Sequence, residues 1–580
     1  MAPALMEDLG ISTYGMKINT TLDTANVKTN GTTNGHREEY KLLPRPAFEK
    51  RKLRVICIGA GIAGIAAAYK YQNDLENVDF VIYEKNDDVG GTWYENRYPG
   101  CACDIPAHAY TYSWEGNPNW SRFYVEAPEL HTYFKGCAVK WNCMQYIKLN
   151  HRVTAARWSE SKSGWDVKIE FNGEEFDDFC HVLLNCNGIL NNWKWPEIEG
   201  LHSFTGKLLH SARWDADWVY EGKTVAVIGG GSSAIQIVPQ MQPVVKHLVS
   251  FNRSPNWITP EFGQVMAKDG RATIFTKEEI NRFNEDKKYF LQFRKNLQNG
   301  GSATYPLYYK NSKMQEQVFQ KYAELMKQRL GGDEELCEKL IPKFSVGCRR
   351  FTPGEGYLEA LASKNATVVA DNIAKVDEKG IFTIDGRYFE VDAIICATGF
   401  DCSHRPPFPV IGRDGRDLAE YWKDTPLHYM SVAAPGFPNY FITGGPNSPI
   451  ANGSLISGLE TEINYAYKCL TKMQRENIAS MELTEDAMKE FLIHRDALMN
   501  EMVWSSFCRS WYKNGTVDGP VIGPSIGSTW HFNEMLENPR YEDYKFTYLY
   551  NNRFSYLGMG RTVKEFQETD LATHLREPGA

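Results

Sequence analysis

Residues 53–64 read LRVICIGAGIAG: an apolar run, a turn carrying Gly59, Gly61 and Gly64, and the start of an alanine-rich segment. An apolar run with no polar alternation suits a strand buried on both faces, as in a parallel sheet. Glycines at this spacing between a strand and a helix each have a task. Gly59 permits the tight turn, Gly61 lets backbone approach a pyrophosphate, and Gly64 lets the helix pack close while its N-terminus faces the phosphates. Ala63 lies in the same turn, and the next apolar run, FVIYE, ends in Glu84, where a carboxylate can accept ribose hydroxyls. These residues predict a dinucleotide-binding unit of an α/β fold.

The pattern recurs at residues 223–238, KTVAVIGGGSSAIQIV, with Gly229, Gly231 and Ala234 in the fingerprint positions and Ser232 and Ser233 able to donate to phosphate. Its acidic ribose ligand is missing. The following strand, HLVSFNRSPNW, carries Arg253 and Ser254 instead, and a cation at that place is what a 2'-phosphate requires. NADPH is therefore favoured over NADH. Between the two units lies FTGKLLHSARWD, residues 204–215. A chain that binds two dinucleotides must hold one redox ring against the other, so this connecting stretch controls their geometry. In it Gly206 turns the chain, Trp214 packs and His210 hydrogen-bonds to backbone; nothing makes His210 a proton carrier.

The same stretch, with Phe204, Gly206, His210, Trp214 and Asp215, resembles the Phe-x-Gly-x-x-x-His-x-x-x-Trp signature of Baeyer-Villiger monooxygenases. Residues 90–104, GGTWYENRYPGCACD, resemble a second fingerprint of that family through Gly90, Gly91, Trp93, Tyr98, Pro99, Gly100 and Asp104. Read physically, the glycines let this loop lie against a flat isoalloxazine ring, and Asp104 brings a carboxylate there. Gly91, Thr92, Trp93, Asp104 and Tyr110 are then cofactor contacts. Residues 346–361, VGCRRFTPGEGYLEAL, resemble the family's basic pair, which puts Arg349 on the 2'-phosphate and makes Arg350 catalytic, with Asp104 orienting it. CRSWYKNG, residues 508–515, resembles the family's Ser-Trp element near the nicotinamide ribose and adds Trp511. What the resemblance implies is FAD held permanently, NADPH reducing it, oxygen adding as a C4a-peroxyflavin, and attack on a ketone to give an ester or lactone. It also implies a hinge role for His210. Oxygenation of sulfur or nitrogen on the same fold, or NADPH oxidation without oxygenation, are the alternatives.

Length and composition agree with a chain of this kind. At 580 residues it exceeds one hydrophobic core. With 42% hydrophobic and 23% charged residues and no run of eighteen apolar residues, it reads as a protein that does not span a membrane. A net charge of -8 without a long basic run argues against nucleic acid or anionic lipid as the main partner, leaving small molecules, which the resemblance implies are a ketone and O2. Thirteen cysteines, scattered without paired metal-type motifs, and the absence of a signal segment fit a reducing, cytoplasmic setting.

Along the chain, residues 1–43 read as a disordered extension, 44–195 as the first part of the FAD-binding domain and 196–258 as the first part of the NADP-binding domain. Within 44–195 the strands WDVKIEF and FCHVLLNC suggest an antiparallel flap returning to the sheet, and Cys186-Asn187-Gly188 stands where such flavoproteins commonly read Ala-Thr-Gly. Residues 259–345 read as a helical insertion that roofs a substrate site; Thr276 and Glu279 form a capping box, and Ile280, Phe283, Phe290 and Leu297 keep helical spacing. Residues 346–390 return to the NADP-binding domain. Residues 391–580 cross back to the FAD-binding domain at Ala397-Thr398-Gly399, and the turn at Gly444, Gly445, Pro446 and Asn447 approaches the flavin.

Overall fold

Each glycine turn closes the central strand of a five-stranded parallel sheet in the computed structural model, which describes residues 40–259, 274–350, 352–567, 570–572 and 574–575. Across the first sheet the strands are Tyr440–Ile442, Val182–Asn185, Leu53–Ile58, Val78–Tyr83 and Ile147–Lys148. Across the second they are Ala366–Val369, His247–Phe251, Thr224–Ile228, Ala393–Cys396 and Lys207–His210. In both sheets the strand order reverses at the strand that carries the glycines. That reversal opens the crevice in which doubly wound folds bind dinucleotides. The architecture is two Rossmann-like units, as the sequence reads.

The apolar runs are continuous because each strand is covered on both sides. Along the first strand Val55 and Cys57 face one core while Ile56 and Ile58 face another. Along the second unit's central strand Val225 and Val227 alternate in the same way with Ala226 and Ile228. The helix Ile62–Asp74 buries a face of Ala63, Gly64, Ala66, Ala67 and Ala68. Small side chains bring it close to the sheet, and Leu455–Arg475, which buries Ile456, Leu459, Ile463 and Leu470, completes that layer.

The stretch 204–215 is more than a connector. Lys207–His210 is the edge strand of the second sheet, in parallel register with Ala393–Cys396. Lys207 and Asp215 of the same stretch form an ion pair. The flap comprises the antiparallel strands Arg152–Ser159, Gly164–Phe171 and Glu174–Cys180. The run FCHVLLNC is not one strand: it breaks at His181, whose Nδ1 accepts the Arg54 N–H at 2.9 Å, and continues as Val182–Asn185 in the first sheet.

The insertion is helical over Lys277–Glu285, Lys287–Ala303, Lys313–Arg329 and Glu334–Leu340, and its capping box at Thr276 and Glu279 is formed. Its two halves serve different cores. Phe283 and Phe290 pack on the first unit, whereas Val318, Tyr322 and Met326 pack on the second. The expectations for residues 1–39 and 260–273 lie outside the described residues. Among the described residues no helix is long and apolar enough to cross a membrane.

Several buried histidines set the acid limit of this fold. His108 sits among Phe275, Phe283 and Phe293 with neither ring nitrogen hydrogen-bonded. Burial, with Arg294 nearby, lowers its pKa from 6.5 to about 3; burial takes His404 to about 3 and His210 to about 4. The unfolded chain binds these protons once pH falls below 6.5, whereas the native chain refuses them until near its own lower value. Stability is therefore expected to fall as pH drops from 6.5 toward about 4, each histidine adding about 1.4 kcal/mol per pH unit to the slope. Urea unfolding at about pH 7 and about pH 5 should show this loss, and His108→Phe should reduce the slope by one histidine's share, about 1.4 kcal/mol per pH unit. An unchanged slope in His108→Phe would refute the assignment.

Candidate active site

Between the two sheets lies a cavity of about 1260 Å³ lined from both units. That exceeds the roughly 300–1,000 Å³ of a usual single-ligand pocket, so it has room for more than one bound molecule. From the first turn Gly59, Gly61 and Ala63 line it, and Glu84 lines it from the end of the next strand. Gly64 does not reach the cavity. A Cβ there would sit 2.0 Å from the Gly59 carbonyl oxygen, so its role is close helix-strand packing. Glu84 is buried, and its carboxylate oxygens accept the N–H groups of Ala60 (2.7 Å) and Asn86 (2.8 Å). Burial raises its pKa and those two donors oppose the rise. Each oxygen keeps a second lone pair for a ribose hydroxyl.

Gly91, Thr92, Trp93 and Asp104 of the 90–104 loop line the cavity, with Tyr110 edge-on to Trp93 at 5.8 Å. The loop's glycines correct one expectation, because the side on which each lacks a Cβ faces protein rather than a flat ring. A Cβ on Gly90 would meet His131, on Gly91 the Cα of Gly61, and on Gly100 the carbonyl oxygen of Gln236 at 2.7 Å. Gln236 belongs to the helix Ser232–Met241 of the second unit; it accepts from the Tyr98 hydroxyl (2.9 Å) and donates to the Ala102 carbonyl (2.9 Å). The loop thus couples the first unit to the second.

In the second unit Gly229, Gly231, Ser232 and Ser233 line the cavity, whereas Ala234 is fully buried behind it in the core. Ser232 Oγ lies 2.8 Å from Thr352 Oγ1. Arg253, Ser254 and Arg349 meet at the rim; Arg253 is exposed, and Arg349 Nη1 donates to the Pro255 carbonyl at 3.0 Å. Burial, then the charge of Arg253, lowers the pKa of Arg349. A guanidinium whose charge is opposed by burial and by a second guanidinium is a place that an anion would stabilise.

Across 246 residues of chain, Arg350 meets Asp104. Its Nε donates to Oδ2 at 2.7 Å and its Nη2 to Oδ1 at 2.6 Å, while Nη1 donates to the Ile450 carbonyl at 2.8 Å. Burial works against the charge of Arg350, but the Asp104 carboxylate outweighs it and raises the pKa. The guanidinium is thus a permanent cation in a fixed orientation. Trp511 lines the cavity from the C-terminal part of the chain.

Comparison with known proteins places this geometry. A family pattern described as an NAD(P)-binding Rossmann-like domain matches residues 57–127. The FAD-binding monooxygenase tazF of Aspergillus terreus is 40% identical over 537 residues, covering 91% of this chain and 96% of that protein. A Baeyer-Villiger monooxygenase of Pseudomonas aeruginosa is 33% identical over 498 residues, covering 85% of this chain and 91% of that one. The chain belongs to the Baeyer-Villiger monooxygenase family. Among solved structures, cyclohexanone monooxygenase from Rhodococcus sp. Phi1 bound to NADP+ shares the fold with a TM-score of 0.74 at 24% identity, covering 86% of this chain and 100% of that one. OTEMO in complex with FAD and NADP gives a TM-score of 0.73 at 25% identity, covering 85% and 99%.

As a member of that family the chain is an FAD- and NADPH-dependent flavoprotein monooxygenase. The residues present fit both groups: each glycine turn puts a helix N-terminus at the cavity, and the facing guanidiniums Arg253 and Arg349 suit a 2'-phosphate. One expectation fails, because no residue of 274–345 lines the cavity. Phe283 and Phe290 of those helices are committed to one core and Val318, Tyr322 and Met326 to the other, so the described part of the insertion does not roof the site. His210 is fully buried, accepts the Ala212 N–H on Nδ1 at 3.1 Å, and directs Nε2 to Thr398 Oγ1 at 3.2 Å. Besides the backbone bond, it ties the edge strand to the segment that crosses back to the first unit.

Sequence reasoning missed three partners in the site. The Ile450 carbonyl on Arg350 has no sequence signal, since any residue carries a carbonyl. Tyr512, beside Arg350, is the residue after Trp511 and was within reach of the motif. The third is a disulfide between Cys348 and Cys508, which corrects the expectation of cysteines kept apart and reduced. Connectivity across that distance cannot be read from spacing. The other eleven cysteines are free, all but Cys337 buried.

Proposed function

We propose that this Baeyer-Villiger monooxygenase inserts one oxygen atom of O2 beside a ketone carbonyl and releases an ester or lactone. The observation that carries the reading is the bidentate Arg350–Asp104 pair, set in the cavity that both glycine turns share. Bound FAD, reduced by NADPH, supplies the activation of dioxygen. The chain supplies position and charge. Gly59, Gly61 and Glu84 hold the FAD pyrophosphate and adenosine ribose, Gly229, Gly231, Ser232 and Ser233 hold the NADPH pyrophosphate, and Arg253 with Arg349 holds its 2'-phosphate. Thr92, Trp93 and Tyr110 flank the flavin, and Trp511 stands by the nicotinamide ribose.

Arg350 stabilises negative charge as it moves onto the ketone oxygen, and Asp104 keeps the guanidinium aimed. His210, held neutral by burial, acts as a hinge contact to Thr398 and moves no proton. On this reading residues 44–195 and 391–580 serve FAD, 196–258 and 346–390 serve NADPH, and the described helices of 274–345 brace both.

The test is a screen of cyclic, linear and aryl ketones, with a sulfide and a tertiary amine alongside. NADPH consumption is followed together with mass analysis for one added oxygen. Ester or lactone in proportion to NADPH consumed is the expected result. Sulfoxide or N-oxide as the only oxygenated product, or hydrogen peroxide alone, overturns it.

A further inference from the structure

Cys348 and Cys508 are bonded across 160 residues of sequence, with their Cα atoms 6.4 Å apart. Both ends abut the cavity. Cys348 immediately precedes Arg349 and Arg350, and Cys508 is followed by Arg509, Ser510 and Trp511, all of which line the cavity. The bond also joins two cores. Val346, two residues before Cys348, belongs to the core of the second unit, while Tyr512 belongs with Trp504 and Val521 to a separate C-terminal core.

Each segment is braced on its own side. Gly347 turns with φ +90 against Tyr308. In the C-terminal segment the buried Lys513 ammonium donates to the carbonyls of Ser506 (2.6 Å) and Val517, drawing the loop around itself. The Ser510 hydroxyl accepts the Tyr512 N–H at 3.1 Å, and Tyr512 lies beside the Arg350 guanidinium. Arg350 therefore has its tip held by Asp104 and Ile450, while its backbone is fastened, through Cys348, to the loop that presents Trp511.

We propose that the Cys348–Cys508 bond is a positioning cross-link for oxygenation: it holds the Arg350 and Trp511 segments in one register, and opening it leaves both cofactors bound while loosening the guanidinium. This rests on the role given to Arg350 above. Opening needs a dithiol reductant. The dithiol delivers two electrons and two protons, the S–S bond breaks to give the Cys348 and Cys508 thiols, and the dithiol closes to its own disulfide. Both cysteines are buried, but Phe507 and Arg509, on either side of Cys508, are exposed, so the C-terminal segment is the side from which a dithiol reaches the bond. Opening does not unfold the chain, because each end keeps its own core.

The experiment uses the full-length holoenzyme. Peptide mapping by mass spectrometry, with free thiols blocked and no reductant, should find the Cys348 and Cys508 peptides linked; their absence would overturn the proposal. Treatment with dithiothreitol should leave the FAD absorbance in place and NADP+ still able to bind. Product formed per NADPH should fall by on the order of tenfold to a hundredfold, the scale expected when a reacting group is misplaced by about 1 Å. Oxidised glutathione should restore it. The Cys348→Ser/Cys508→Ser double variant should match the reduced enzyme and no longer respond to dithiothreitol, and if it fails to fold, the reduced and reoxidised parent still decides. Equal coupling in the oxidised and reduced parent overturns the cross-link role alone. If the oxidised parent oxygenates no ketone at all, the reading of Arg350 falls, and this proposal with it.

Discussion

Arg350→Ala should retain FAD, continue to oxidise NADPH and release hydrogen peroxide, while ester formation falls about a hundredfold to a thousandfold, the range seen when one fixed donor to a developing oxyanion is removed. Reduction by NADPH and oxygenation of a ketone make different demands on the chain. The first needs two dinucleotides held together, the role proposed for the glycine turns and the rim arginines. The second needs a cation at the place where negative charge gathers on the substrate oxygen. On the proposed function Arg350 answers that need, with a guanidinium held at three points by Asp104 and the Ile450 carbonyl. Lysine at 350 should rescue little, because a point charge cannot make the planar paired contact to Asp104 and reach Ile450 together. Asp104→Ala should give a weaker form of the same defect: the cation persists, held by Ile450 but no longer aimed. Peroxide and ester measured per NADPH consumed, with flavin content as a control, decide the matter; Arg350→Ala making ester near the parent rate would end the catalytic assignment.

How much of this was legible in the sequence depended on whether a feature is local. The central strands and glycine turns were readable because burial on both faces forces an apolar run and the turn forces glycine, so Val55 to Gly61 and Val225 to Gly231 carry their own evidence. The capping box at Thr276 and Glu279 is likewise a four-residue event. What the loop glycines touch was not readable, because Gly100 is shaped by Gln236 in a helix far along the chain. The insertion shows the same limit. Its helical period was plain, yet period says only that one face is buried, not against what, and the two halves went to different cores. The Cys348–Cys508 bond is the extreme case, since neither cysteine has a neighbour in sequence that names its partner. The edge-strand role of residues 207–210 escaped for a related reason. KLLH is too short to announce a strand until Ala393–Cys396 is there to pair with it.

Arg253→Ala and Arg349→Ala should both raise the Michaelis constant for NADPH far more than that for NADH, because only NADPH presents a 2'-phosphate. A lost charge-assisted phosphate contact is worth about 1.5–3 kcal/mol, or about tenfold to a hundredfold in affinity. The two arginines should not lose equally. Arg253 is exposed at the rim, where solvent screens its charge, so its removal belongs at the lower end. Arg349 is half-buried, anchored to the Pro255 carbonyl, and carries its charge under the opposing influence of burial and Arg253. Less of its interaction with a phosphate is screened, so Arg349→Ala belongs at the upper end. Because Arg349 adjoins Arg350 and Cys348, its loss could also disturb the loop, and NADH supplies the control: loop disturbance weakens both nucleotides, whereas a missing phosphate contact weakens NADPH alone. Steady-state kinetics with both nucleotides for each variant separates the cases. Equal changes for NADPH and NADH in both variants would remove the 2'-phosphate from this pair of arginines and leave the nucleotide preference without a structural basis at the rim.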